Sequence, residues 1–329
     1  MLKLEKVLQI LHANLLPLGE WLTDRNVTEI MINPGGHVFV EARGVITYVG
    51  QLLSADQIDM ALTAVAKYVD QDAIKGTASA IVNASIEDMR IAGAKAPTCP
   101  TGSFMTIRKH QDKSDRPTLE DLITKLRSIS REHAELLIQL VVKDRKNCLI
   151  AGGTGSGKTT LLNAMLGHIP HHERIITIED SREIQLEVPN VVNLLSNPLN
   201  GISARDLVKL AMRLRPDRLI LGETRGDETY DLIRAYNSGH PGSISTIHSD
   251  SAEQALGALE MLFQMSLPAG ASMPPALVKQ YIAESVHVVV FAGRRIVPQG
   301  DVQTVVRKIE QICLIKGVEN GKYIYENVA

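Results

Sequence analysis

Apolar and polar positions change rhythm partway along the chain. Leu4, Val7, Leu8, Leu11 and Leu15 recur at helical spacing and predict an amphipathic helix at the start. Such a face ordinarily packs on its own domain, but it could also dock on a membrane or a partner. Short runs suited to strands follow at Val27–Ile32, Val38–Glu41 and Val45–Val49, punctuated by Pro34-Gly35-Gly36 and Arg43-Gly44. Ser54 with Gln57 forms a capping box for a helix running to about Val69. Further strand patterns lie at Ser79–Ile86, Met89–Ala94 and Ser103–Lys109. Together these predict a small α+β domain.

The stretch from His110 to Pro117 is polar, ends in proline and lacks periodicity, as an interdomain linker would. The expected division is 1–112 and 113–329. Thr118 caps a first helix through Thr118-Leu119-Glu120-Asp121, and a second helix is predicted over Arg131–Asp144. From Asn147 onward, short apolar runs alternate with helical patterns, which predicts a parallel sheet covered by helices. The strand runs are Cys148–Ala151, Arg174–Ile178, Val191–Leu195, Leu219–Gly222, Ile244–Ile247 and Val286–Phe291. Ser203 and Ser251 open helices between them, and a hairpin around Asn320-Gly321 joins Ile309–Lys316 to Lys322–Tyr325. No internal repeat or low-complexity tract interrupts this order.

Composition narrows the functions open to such a chain. Its 329 residues suit about two domains, and 44% hydrophobic content supplies a sizeable core. The formal net charge of −2 and the 4% aromatic content argue against strong nucleic-acid binding, since neither a broad basic surface nor a base-stacking platform is present. Cys99, Cys148 and Cys313 are widely spaced, form no zinc-ligand pattern and suit a reducing compartment. No run reaches the roughly 18 apolar residues of a membrane span, and the mixed-charge start does not read as a signal peptide.

The chemistry concentrates around Gly152-Gly153-Thr154-Gly155-Ser156-Gly157-Lys158-Thr159, directly after the Cys148–Ala151 strand run. Glycines at these positions let backbone N–H groups curl around a polyphosphate. Lys158 would face the β/γ-phosphates, Thr159 could bind Mg²⁺, and Thr160 continues into a helix whose N-terminus faces the anion. This predicts binding of a nucleoside triphosphate such as ATP together with Mg²⁺. Two acidic clusters follow strand runs, where open α/β sheets bind ligands: Glu179-Asp180 and Glu223. In many phosphate-loop enzymes the second strand ends in Asp-Glu, whereas Gly222 takes the Asp place here. Either Glu223 serves both metal and water, or Glu179 and Asp180 share the work. A tight loop, Ser238-Gly239-His240-Pro241-Gly242, then leads through a strand run to His248, which could sense the γ-phosphate. Arg213, Arg215 and Arg218 around Pro216 read as a solvated helix end, with an alternative use facing a neighbouring subunit. Asp227 and Glu228 read as surface acids.

Four blocks in this order carry a family resemblance: the glycine-rich loop, Ile178-Glu179-Asp180, the run from Arg215 to Gly226, and Ser238–Ser243 with Thr246-Ile247-His248. They resemble the Walker A, Asp box, Gly-Glu form of Walker B and His box of the type II/type IV secretion ATPase superfamily. Val27–Pro34 and Phe104–Lys109 resemble its VirB-type, TrbB-like conjugal-transfer branch. The resemblance implies a RecA-like P-loop NTPase domain preceded by a smaller α+β domain. It also implies a homo-hexameric ring in the cytoplasm, peripheral to the inner membrane and working with inner-membrane components of a type IV secretion apparatus. In that family N-terminal-domain arginines reach the phosphates, which points to Arg90 and Arg108. The implied activity is ATP hydrolysis, with Lys158, Glu179, Glu223 and His248 catalytic and with Thr159, Glu179 and Glu223 around Mg²⁺, partly through water. Gly153, Thr154, Gly155, Ser156, Gly157, Lys158, Thr159, Thr160, Arg90 and Arg108 would bind the nucleotide. Competing readings are a pilus extension or retraction motor, a nucleic-acid motor, and a scaffold that uses ATP only to assemble.

Overall fold

The alternating runs of the N-terminal third form an antiparallel sheet in the computed structural model. It describes residues 4–42, 44–69, 73–77, 80–109, 116–186, 188–198, 201–299 and 302–329. The chain divides into two compact units, Met1–Arg116 and Pro117–Ala329. Most of the predicted linker, residues 110–115, lies outside the described residues, as does Ser79.

The first unit contains helices α1 (Leu4–Asn14), α2 (Gly19–Thr23) and α3 (Ala55–Tyr68). Its strands are β1 (Val27–Ile32), β2 (His37–Ala42), β3 (Val45–Gln51), β4 (Ile81–Ile86), β5 (Met89–Ala94) and β6 (Phe104–Lys109). They pair in the order β3-β2-β1-β6-β5-β4. Ser54 and Gln57 form both halves of the capping box that starts α3. The apolar face of α1 is used within this unit: Val7, Leu11 and Leu15 are buried with Ile30, Ile58, Leu62 and Ile107. Those three side chains are therefore not left for a membrane or a partner, which corrects the alternative the sequence left open.

The second unit opens with α4 (Leu119–Thr124) and α5 (Arg131–Leu137), followed by a π-helical turn over Ile138–Lys143. Helices α6 (Lys158–Leu166), α7 (Ala204–Ala211), α8 (Thr229–Asn237), α9 (Ala252–Met265) and α10 (Pro275–Ser285) cover its sheet. The strands are β7 (Cys148–Ala151), β8 (Ile175–Glu179), β9 (Val191–Leu195), β10 (Arg218–Leu221), β11 (Ile244–Ile247), β12 (Val288–Gln299), β13 (Val302–Glu319) and β14 (Lys322–Asn327). Their order is β14-β13-β12-β7-β11-β10-β8-β9. The six strands from β12 to β9 run parallel, and β13 and β14 add antiparallel to one edge.

Parallel strands are buried on both faces, and β7, β8, β10 and β11 are buried throughout, including the polar Thr177, Ser245 and Thr246. Successive residues serve opposite faces. Leu149, Ile176, Leu219 and Val289 pack with Leu232, Leu256 and Phe263. Cys148, Ile150, Ile175, Ile220 and Val288 pack with Leu137, Leu161 and Met165. Each such buried Leu or Ile contributes about 1.5–3 kcal/mol, so the centre of the sheet is a firm platform for the loops at its strand ends. Among the described residues no helix is long and apolar enough to cross a membrane.

The C-terminal ribbon departs from the sequence expectation. Strand β12 continues well past Phe291 and pairs with a long β13, closing a ladder from Val288↔Leu314 to Gln299↔Val302. The polar residues Arg294, Arg295, Arg307 and Lys308 are held in this ladder by backbone pairing.

Candidate functional site

The glycine-rich loop leaves β7 and turns into α6. Gly155 has φ +68° and Gly157 has φ +98°, conformations that L side chains rarely adopt. Gly157 is the N-cap of α6 and supplies no side-chain hydrogen bond, so the first turn of that helix keeps its N–H groups uncapped by a side chain. A Cβ at Gly152 would run into the Ala292 carbonyl oxygen and the Ser156 hydroxyl. Lys158 is buried and donates to the carbonyls of Gly152 at 2.7 Å and Gly153 at 3.1 Å. Ser156 Oγ is buried and has no hydrogen-bond partner among the described residues. A positive helix end, a buried ammonium and an unsatisfied hydroxyl suit a polyphosphate. Thr154 and Gly155 are exposed, while Gly153, Thr159 and Thr160 are half-buried.

Beside this loop the structure gathers Glu179, Glu223 and His248 from the ends of three neighbouring parallel strands. Glu179 ends β8, Glu223 follows β10 and His248 follows β11. Thr246 Oγ1 donates to the Gly222 carbonyl at 2.7 Å, and Thr224 N donates to the Thr246 carbonyl at 2.8 Å, fixing the two strand ends together. His248 Nε2 then lies 2.7 Å from Glu223 Oε1. Burial, reinforced by the charge of Lys158, lowers the His248 pKa. A neutral imidazole facing a carboxylate must carry its proton on Nε2, because the carboxylate only accepts.

Glu179 is only 5% exposed, and its two oxygens differ. Oε1 accepts from the backbone N–H groups of Glu183 at 2.9 Å and Ile184 at 2.7 Å, while Oε2 is buried with no partner among the described residues. Burial pushes its pKa up to about 7, against the opposing pull of those two N–H groups. One oxygen thus anchors the chain after β8, and the other has no partner among the described residues.

Arg225 was not singled out by the sequence reading. It bridges Asp180 and Glu223, and Glu228 positions it by accepting from the backbone N–H of Arg225 at 2.6 Å and of Gly226 at 3.0 Å. Glu228 is 4% exposed, which corrects its reading as a surface acid. Arg225 stands two residues beyond Glu223, but nothing in that spacing distinguishes it from a solvated arginine. Asp180 is engaged with Arg225 and so does not stand ready as an unpaired acid.

Arg218 is a second correction. It is fully buried and its guanidinium forks onto Glu173 at 2.6 and 3.1 Å. It also donates to the carbonyls of Val141 and Val142, each at 2.7 Å, at the end of the π-helical turn, and to Gly242 at 3.2 Å. A solvated helix end, or a group facing another subunit, is excluded for Arg218, whereas Arg213 and Arg215 are exposed. A Cβ at Gly242, whose φ is +77°, would strike the Arg218 guanidinium. His240 in the same loop has its ring Nδ1 2.9 Å from the Ala235 carbonyl, a structural contact.

In the first unit, Arg90 on β5 and Arg108 on β6 are direct cross-strand partners. Glu29 on β1 is in turn the partner of Arg108. Two arginines side by side repel, and Glu29 opposite Arg108 offsets part of that charge. In the second unit the ribbon brings Arg307 to the glycine-rich loop, where its Nε donates to the Gly155 carbonyl at 2.7 Å. The sequence reading left the stretch between Phe291 and Ile309 unassigned and missed Arg307. Among the described residues no cluster of three or more His, Cys, Asp or Glu side chains is poised to hold a metal ion. Mg²⁺ generally keeps several waters and leans on substrate phosphates, so a hydroxyl such as Thr159 and the unsatisfied Glu179 oxygen are a fitting protein share.

A parallel sheet with a phosphate-shaped loop and acids at adjacent strand ends defines a nucleotide-binding class of protein. A sequence model of the Type II/IV secretion system protein family matches residues 27–319, and the chain belongs to that family. Within it the chain is TrbB-like. It is 32% identical over 311 residues to "Conjugal transfer protein TrbB" of Rhizobium radiobacter, covering 94% of this chain and 90% of the relative. It is 33% identical over 306 residues to "Type IV secretion system protein PtlH" of Bordetella pertussis, covering 84% and 88%. Among solved structures, the pilus retraction motor PilT with bound ADP aligns with a TM-score of 0.59 at 18% identity, over 92% of this chain and 82% of that one. At that identity the likeness concerns the fold.

Proposed function

We propose that the chain is an ATP hydrolase with a RecA-like catalytic domain, acting as a homo-hexamer in a conjugative type IV secretion system. In this reading it works in the cytoplasm against the inner-membrane components of that apparatus and powers pilus assembly or substrate transfer. The observation that carries it is the uncapped N-terminus of α6 in the turn after β7, with Lys158 buried beside it. That arrangement leaves a cradle for phosphates at the end of the sheet where Glu179, Glu223 and His248 converge.

Lys158 and the loop N–H groups hold the phosphates. Glu223, oriented by His248 and Arg225, is placed to position and deprotonate a water. Thr159 and Glu179 Oε2 would hold Mg²⁺, which when bound supplies charge neutralisation at the phosphates. Arg90 and Arg108 belong to the same proposal as nucleotide-binding residues. The division of the chain into an N-terminal domain of residues 1–112 and a catalytic domain of residues 113–329 belongs to the same proposal. Relatives at 32–33% identity are conjugal-transfer and type IV secretion proteins. The retraction motor at 18% speaks to fold alone, so conjugation is favoured over pilus retraction.

Phosphate release by the purified chain with MgATP is the test. Wild type should release phosphate, Lys158→Ala should neither bind nor hydrolyse, and Glu223→Gln should bind ATP without turnover. A wild-type protein that binds ATP without releasing phosphate would leave only the scaffold reading.

A further inference from the structure

We infer that Asn163 is a positioning residue for Glu179: from the helix that follows the phosphate loop it grips residues 183–185, and that segment fixes which Glu179 oxygen is left for Mg²⁺. This deepens the ATPase reading and rests on it.

Asn163 lies on α6, one helical turn beyond Thr159. Its Nδ2 donates to the Glu183 carbonyl at 3.0 Å, and its Oδ1 accepts from the Gln185 N–H at 3.0 Å. Both bonds go to one stretch of backbone. Residues 180–186 belong to no helix or strand. Backbone groups outside a ladder have to find other partners, and an asparagine amide brings a donor and an acceptor together in one plane.

The same stretch carries the clamp on Glu179. The N–H groups of Glu183 and Ile184 both donate to Glu179 Oε1, at 2.9 and 2.7 Å. Residue 183 therefore bonds Glu179 through its N–H and Asn163 through its carbonyl. Ile184 is buried in the core that also holds Leu161, Leu162 and Leu166 of α6. With Oε1 committed to the two N–H groups, Oε2 is the oxygen with no partner among the described residues.

Helix α6 begins at the loop proposed to hold the phosphates. Asn163 thus ties the setting of the acid to the helix that meets the anion. A shift of α6 against β8 would move the 183–185 backbone and turn the carboxylate with it.

The test is titration of fluorescently labelled ATP into the full chain, once with Mg²⁺ and once with EDTA. The proteins are wild type, Asn163→Asp, Asn163→Ser, Glu179→Ala, and Asn163→Asp combined with Glu179→Ala, with a thermal melt of each. Asn163→Asp keeps the shape of the side chain but sets an oxygen against the Glu183 carbonyl, so one bond becomes a repulsion. Asn163→Ser carries the same test without adding charge, should the aspartate variant not fold. In EDTA both Asn163 variants should bind ATP as wild type does, because Lys158 and the loop are untouched. The gain in affinity on adding Mg²⁺ should shrink on the order of tenfold. In the Glu179→Ala background Asn163→Asp should remove nothing further, since it acts through Glu179. Amide hydrogen exchange without nucleotide should speed up at residues 183 and 184 in Asn163→Asp. A Mg²⁺ gain equal to that of wild type overturns the inference, as do equal losses in Mg²⁺ and EDTA, additive losses in the double variant, or unchanged exchange. A wild type that binds no ATP in either condition overturns the ATPase reading together with this inference.

Discussion

Replacing Glu179 by Gln removes an acid whose proton the folded chain retains to about pH 7, against an ordinary value of 4.5. Between these values the unfolded chain has released the proton and the folded chain still holds it. Folded protein binds more protons, so stability falls as pH rises through this window and is level above it. Moving a carboxyl from 4.5 to about 7 corresponds to about 3 kcal/mol at about 1.4 kcal/mol per pH unit. The side chain is almost wholly buried, so solvent screening removes little of this. Gln can keep accepting from Glu183 and Ile184 through its oxygen but cannot titrate. The measurement is urea unfolding of nucleotide-free protein from pH 4.5 to 8, followed by far-UV circular dichroism because the single tryptophan, Trp21, reports on the first unit. Wild type should lose about 3 kcal/mol relative to Glu179→Gln between the ends of that range. Parallel profiles within about 0.5 kcal/mol would refute the claim that burial holds the proton on Glu179.

Arg218→Met should cost about 3–5 kcal/mol in urea unfolding, because Glu173 is left buried without its principal partner; a loss below about 1 kcal/mol would show that the network contributes little. His248→Ala should lower phosphate release by at least tenfold, with partial recovery in His248→Gln, which can still donate to Glu223; equal rates in the Ala and Gln variants would remove the hydrogen bond from the account. Gly222→Asp, which restores the commoner acidic pattern, should depress phosphate release, since a Cβ there meets Glu179 Cγ at 3.1 Å; a rate at or above wild type would show that the strand end tolerates both acids.

How much of this was legible in sequence follows from which forces act locally. Cys148–Ala151 was readable because burial on both faces favours an unbroken apolar run, whereas the partly exposed edge strand Val191–Leu195 and Ile244–Ile247, with Ser245 and Thr246 inside it, match their predicted limits through their β-branched residues. Helix starts were readable because a cap and its partner lie three residues apart, as with Ser54 and Gln57 or Thr118 and Asp121. Glu179, Glu223 and His248 stood out because each follows such a strand. Arg218 did not, since its burial depends on Glu173, 45 residues upstream, and on carbonyls of Val141 and Val142. The ribbon was also hidden. Residues 292–308 mix polar and apolar positions, and only the pairing of β12 with β13, with its skip at Glu310, decides that Arg294 faces Arg307.

The glycine at position 222 shows how a local reading and a spatial one can disagree about the same chemistry. Along the chain, Gly222 is an acid missing from the strand end, and sequence leaves open which carboxylate compensates. Across the sheet, β10 and β8 run parallel with Leu221 opposite Ile178, and Gly222 N–H donates to the Ile178 carbonyl at 2.8 Å. The residue beside Gly222 is therefore Glu179, whose Cγ is the nearest side-chain atom a Cβ at 222 would meet. A carboxylate does stand next to this position, delivered by the neighbouring strand. Glycine is what leaves room for it. Glu179 and an acid at 222 would compete for one space and place two buried negative charges side by side, raising the cost of ionising either. Gly222 and Glu179 are in this sense one feature, and a substitution at either position should be read through its effect on the other.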